Sequence, residues 1–126
     1  MRFKFFVSLI AAFLVSTVAA TTGMPYHASV SAAKAAVEGL ARALAAEYAA
    51  KNVRVNVIAP SLTDTPLAGR LLAGDEKRAR SAERHPLRRV GSVADMAGAA
   101  IHLLGDESSW MTGQVVHVDG GLSVVR

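Results

Sequence analysis

Two kinds of apolar pattern organise this chain. Ile10 to Val15 is a short apolar run, and Val53, Val55, Val57 and Ile58 form a β-branched run closed by Pro60. Both predict strands covered by helices on either side, as in a parallel sheet. From Ala28 to Ala50 the apolar positions Val30, Ala33, Val37, Leu40, Ala41, Leu44 and Tyr48 recur at spacings of three and four. That spacing predicts the longest helix of the chain, with this stripe turned inward. Strand, helix, strand is the parallel crossover unit.

Residues 61–74 read as a loop opening into a short helix, and Asp75 to Arg84 as a helix ended by His85-Pro86, together a candidate flap. Ser92-Val-Ala-Asp95 has the form of a capping box. It leads into a helix carrying Met96, Ala99, Ala100, Leu103 and Leu104, stopped by Gly105. After a polar turn, Gln114 to Val118 predicts a last strand closed by Asp119-Gly120-Gly121. Residues 1–126 are read as one domain.

The beginning of the chain admits three readings. A basic start, Met1-Arg-Phe-Lys4, an apolar middle and a small-residue end at Ala19-Ala20 follow signal-peptide grammar. The apolar stretch is short of the roughly 20 residues that a membrane-spanning helix needs. The third reading, a buried strand over Ile10 to Val15, is preferred, because cleavage near Ala20 would remove part of a motif described below. A cytoplasmic location accompanies the strand reading, and a secreted or periplasmic one accompanies the signal peptide.

At 126 residues, 52% hydrophobic and 19% charged, the chain has apolar material for one small core. The net charge of +4 is concentrated between Lys77 and Arg89, where acids are mixed in and no aromatic residue occurs. That pattern fits a solvated helix, not a nucleic-acid surface, which wants aromatics or a groove-entering motif. The absence of cysteine excludes disulfide scaffolds and thiolate chemistry.

Among candidate chemical groups, Lys34 stands out as a cation in a helix lined with Ala, Val and Leu. Taken by itself it is also compatible with an ordinary snorkelling lysine. His85, His102 and His117 are widely separated, without metal-ligand spacing, and no metal site is expected.

Five stretches in order carry a resemblance: Ser16-Thr-Val-Ala-Ala-Thr-Thr-Gly-Met-Pro25, Ser31-Ala-Ala-Lys34-Ala-Ala-Val-Glu-Gly-Leu40, Val53-Arg-Val-Asn-Val-Ile-Ala-Pro60, Arg89-Val-Gly-Ser-Val-Ala-Asp95 and Thr112-Gly-Gln-Val-Val-His-Val-Asp-Gly-Gly121. Together they resemble the C-terminal half of short-chain dehydrogenases/reductases. The resemblance implies an α/β, partial Rossmann-like three-layer fold with parallel strands, corresponding to the family's fifth to seventh. It further implies NAD(P)-dependent hydride transfer between nicotinamide and a carbonyl or alcohol substrate. A homo-dimer or tetramer, formed through helix 28–50 and the C-terminal strand, is implied as well.

Carried over by position, Thr17 takes the place of the family's substrate-orienting serine and Lys34 that of its lysine. The lysine lowers the pKa of a neighbouring tyrosine and holds the nicotinamide ribose. Val30 stands where that tyrosine belongs and has no titratable proton. Tyr26, or its neighbour His27, is the candidate substitute. Lys34, Ile58, Pro60 and Thr65 are the expected cofactor-facing residues, with Ser61 in place of the family's glycine. The glycine-rich turn that seats a pyrophosphate on a helix N-terminus does not occur in the sequence, so weak dinucleotide binding is expected. A non-catalytic binding or dimerisation module is the alternative.

Overall fold

The centre of the fold is β2 (Val53–Pro60), whose residues 54–59 are all buried. In the computed structural model, which describes residues 10–125, it lies between β1 (Ile10–Val15) and β3 (Val115–Val118) in an all-parallel sheet of order β1-β2-β3. The register runs from Ile10 opposite Val53 to Val15 opposite Ile58, and from Val57 opposite Val115 to Pro60 opposite Val118. All three strands therefore end on one edge, where parallel sheets place their sites.

Successive residues of β2 face opposite layers. Val55 and Val57 pack against Ala41 and Ala45 of α1 (Ala28–Tyr48), ringed by Leu14, Leu44, Val53 and Val115. The small alanines let helix and sheet approach closely, and burying each valine stabilises the fold by about 1.5–3 kcal/mol. The other face meets α3 (Val93–Leu104) and the segment after it. There Arg54, 4% exposed, donates to Ser108 Oγ (3.0 Å), Met111 O (3.2 Å) and Gly105 O (3.1 Å). Asn56, fully buried, donates to Met111 O and accepts from the Gln114 amide. The result is the expected three-layer α/β arrangement.

Local chemistry sets the ends of the elements. Ser92 and Asp95 close the capping box of α3: Ser92 Oγ accepts from the Asp95 amide, and the Asp95 carboxylate accepts from the Ser92 amide. After α1, a 3-10 turn over Ala49–Lys51 ends at Asn52 with φ of 60°, a left-handed conformation that asparagine tolerates. The charged segment forms α2 (Asp75–Glu83), with Asp75 and Glu76 in its first turn.

Two expectations need correction. The inward residues of α1 are Glu38, Ala41 and Ala45, whereas Val30, Leu40 and Tyr48 are 47%, 52% and 39% exposed. The alanine-rich helix rotates its smallest face to the sheet, which permits the closer contact. The second correction concerns β1, which is not a central strand. It meets both α1 and α3, but among the described residues only β2 pairs with it, so it lies at the sheet edge with Ile10 59% and Val15 47% exposed. The charged start of the proposed leader falls within residues 1–9, outside the described residues. Among the described residues no helix is long and apolar enough to cross a membrane.

Candidate active site

The C-terminal ends of β1 and β2 gather most of the residues singled out in the sequence. Val15 and Ile58 are register partners, and the Ser16 amide continues the ladder by donating to Ile58 O at 2.8 Å. Thr17 follows in extended conformation, its hydroxyl oxygen accepting from the Ala19 amide at 3.3 Å to cap a 3-10 turn over Val18–Ala20. Lys34, on α1, reaches over this edge and donates from Nζ to Val15 O at 2.8 Å. Its ammonium is thereby held at the strand end, still open to solvent.

Ile58 is 2% exposed and joins Phe13, Val15, Pro60 and Met96 in lining an apolar groove of about 250 Å³. Thr65 lies beyond the strand, where its hydroxyl oxygen accepts from the Ala68 amide at the start of a 3-10 turn over Pro66–Ala68. Thr17, Lys34, Ile58 and Pro60 thus share one edge, with Thr65 one turn further on.

Tyr26 is placed differently. Its side chain is completely exposed, on a backbone at φ 63° in the loop before α1. His27 immediately precedes α1, with Nδ1 donating to Pro25 O at 2.7 Å. Val30 occupies the first turn of α1, one turn before Lys34 and half exposed.

The sequence reading overlooked a buried pair. Glu38, one helical turn beyond Lys34, is 5% exposed and accepts a 2.7 Å hydrogen bond from Ser16 Oγ. Ser31 adds a second tie, donating to Ala19 O at 2.7 Å. These bonds bolt α1 to the segment that carries Thr17. No local spacing signals a bond between residues 22 apart in the chain.

On the β3 side, Asp119 ends the strand. Burial pushes its carboxyl up, but the Ser123 hydroxyl, the Gly121 and Ser123 amides and the charge of His117 together hold it below the usual carboxylate range. Asp95 is held well below that range, first by its hydrogen bond from Arg89 and then by the hydroxyl and amide of Ser92. Arg89 meets both Asp95 oxygens, at 2.6 and 2.9 Å. No cluster suited to a metal ion occurs among the described residues.

The model of a family described as enoyl-(acyl carrier protein) reductase matches residues 10–123. A 3-oxoacyl-[acyl-carrier-protein] reductase of Thermotoga maritima is 38% identical over 110 residues, covering 87% of this chain and 44% of the relative. A solved short-chain type dehydrogenase/reductase from Mycobacterium ulcerans superposes with a TM-score of 0.84 at 36% identity, covering 92% of this chain and 42% of that one. The chain belongs to the short-chain dehydrogenase/reductase family. A gluconate 5-dehydrogenase from Burkholderia cenocepacia, solved with NADP and tartrate, gives a TM-score of 0.83 at 30% identity over 90% of this chain and 44% of that one. The chain spans somewhat under half the length of these short-chain dehydrogenases/reductases.

Lys34 Nζ and the Thr17 hydroxyl are thus polar groups at the end of β1, while Ile58 and Pro60 line an apolar groove with Val93, Met96, Ala97 and Ala100 of α3. A seat for the pyrophosphate is not among the described residues.

Proposed function

We propose that this chain carries the nicotinamide- and substrate-facing part of an NAD(P)-dependent oxidoreductase acting on a small carbonyl or alcohol. The observation that supports this most is Lys34 Nζ held at the end of β1 by the Val15 carbonyl, two residues before Thr17. A bound NAD or NADP would supply the hydride. The protein's own part is to orient and exclude water. Thr17 has a hydroxyl proton to donate to a substrate oxygen, Lys34 adds positive charge near that oxygen, and Ile58 keeps the ring face dry.

Val30 removes the family's usual proton donor, so turnover is expected to be weak. Tyr26 and His27 are proposed as substitutes only if the loop before α1 folds over the site, since Tyr26 is exposed as it stands. The test is deuterium transfer. The chain is mixed with 4-deuterated NADH or NADPH at millimolar concentration and a panel of small ketones and aldehydes, and the products are examined by mass spectrometry. Deuterium in an alcohol product is expected; its absence from every product of the folded chain defeats the reading.

The exposed Val30, Leu40 and Tyr48 on α1 favour a second reading, a non-catalytic module that dimerises through this helix. A concentration-dependent doubling of mass in light scattering, without deuterium transfer, would support it over the first.

A further inference from the structure

A second site of different chemistry lies on the β3 side of the same sheet edge. Ser61, the residue after β2, lines a cavity of about 300 Å³ together with Leu62, His85, Leu87, Met96 and Val118. His85 is 2% exposed, and its two ring nitrogens have separate partners. Nδ1 lies 2.7 Å from Ser81 O, and Nε2 lies 2.8 Å from Ser61 Oγ. A backbone carbonyl only accepts, so Nδ1 carries the proton, and in the neutral ring Nε2 carries the lone pair. Ser61 therefore donates its hydroxyl proton to an imidazole whose tautomer and tilt are fixed from behind.

We propose that Ser61 is an activated nucleophile and His85 its general base, together able to hydrolyse small acyl esters. Nucleophile bonded to base, and base bonded to an orienting group, are the relations this chemistry needs. Other polar groups nearby are already engaged: Arg89 with Asp95, and Asp119 with Gly121 and Ser123. The Ser61 amide donates to Val118 O and its carbonyl accepts from Thr63, which fixes the backbone. Among the described residues the amide of Leu62, which lines the same cavity, donates to no acceptor. Gly120 packs beside the imidazole, where an added Cβ would lie 3.5 Å from the His85 Cβ.

The step balances without any redox partner. Ser61 Oγ bonds to the ester carbonyl carbon as His85 Nε2 takes its proton, the carbon–oxygen bond to the alcohol breaks, and His85 protonates the departing alkoxide. Water, deprotonated by Nε2, then attacks the acyl-Ser61 ester, and the acid leaves with the hydroxyl restored.

The test uses the chain alone, with a fluorophosphonate probe and p-nitrophenyl acetate. One probe adduct is expected on the peptide containing Ser61. Labelling should be lost in Ser61→Ala and in Ser61→Gly, which installs the residue the family carries there. In His85→Gln, checked for folding by circular dichroism, labelling should slow by about 100-fold or more, the lower range for general-base assistance. No adduct on the wild-type chain, an adduct elsewhere, or an undiminished rate in folded His85→Gln would overturn the proposal. Because no nicotinamide cofactor is present, the result stands apart from the hydride-transfer reading.

Discussion

The two faces of β2 are equally buried but are held by different physics. Toward α1, Val55 and Val57 rest on alanines, and any group of similar shape could fill the same space. Toward α3, Arg54 and Asn56 are tied to carbonyls, a hydroxyl and an amide in residues 105–114, where direction matters as well as volume. Among the described residues Arg54 Nε has no hydrogen-bond partner, so even this network leaves one buried donor unmet there. The apolar face contributes most of the burial energy, whereas the polar face fixes where the chain turns back into β3. It thereby also fixes where Asp119 and the cavity beside Ser61 sit.

The sharpest way to break this contrast is Arg54→Ala. It removes three hydrogen bonds from a charged donor, each worth roughly 1.5–3 kcal/mol, so a loss of about 3 kcal/mol or more is expected in urea unfolding. Val57→Ala should cost about 2 kcal/mol through lost burial and a small cavity, without moving the β3 segment in amide NMR spectra. Ser92→Ala, which opens the capping box of α3, should cost about 1 kcal/mol in the same unfolding assay. Val30→Tyr lies at a half-exposed position and should change stability by less than about 0.5 kcal/mol. The same variant should raise deuterium transfer if the hydride-transfer reading holds, and leave it unchanged if α1 serves only as a docking helix.

Acid sharpens the picture at Asp95. Its folded pKa is depressed, so the ionised carboxylate stabilises the fold fully above the unfolded value of about 4. That contribution is lost as pH falls from there toward the lower folded value. Asp95→Asn should flatten this acid limb in thermal melts recorded between about pH 5 and pH 2.

Much of the layout was legible in the sequence because its signals are local. The Ile10–Val15 run, the β-branched run before Pro60 and the Ser92–Asp95 cap each translate directly into backbone structure. The family motifs singled out Thr17 and Lys34, which lie at the C-terminal end of β1 and on α1. What escaped depends on distant partners. Arg54 and Asn56 look like ordinary polar residues until Gly105, Ser108 and Met111 close over them. His85 becomes the base of a pair only when Ser61, 24 residues earlier, is brought under it. The rotation of α1, which turns Glu38 inward and Leu40 outward, is set by how closely alanines let the helix approach, and hydrophobic periodicity does not record that.

The position of β1 has one more consequence. Among the described residues nothing pairs with its outer edge, while the bonds of Ser16 and Lys34 run to α1 and to the strand's C-terminal end. Another strand, from this molecule or a second one, can dock there by main-chain pairing and leave those bonds intact. The site geometry is thus modular: it is fixed on the inner side of a seam at which the sheet can be extended.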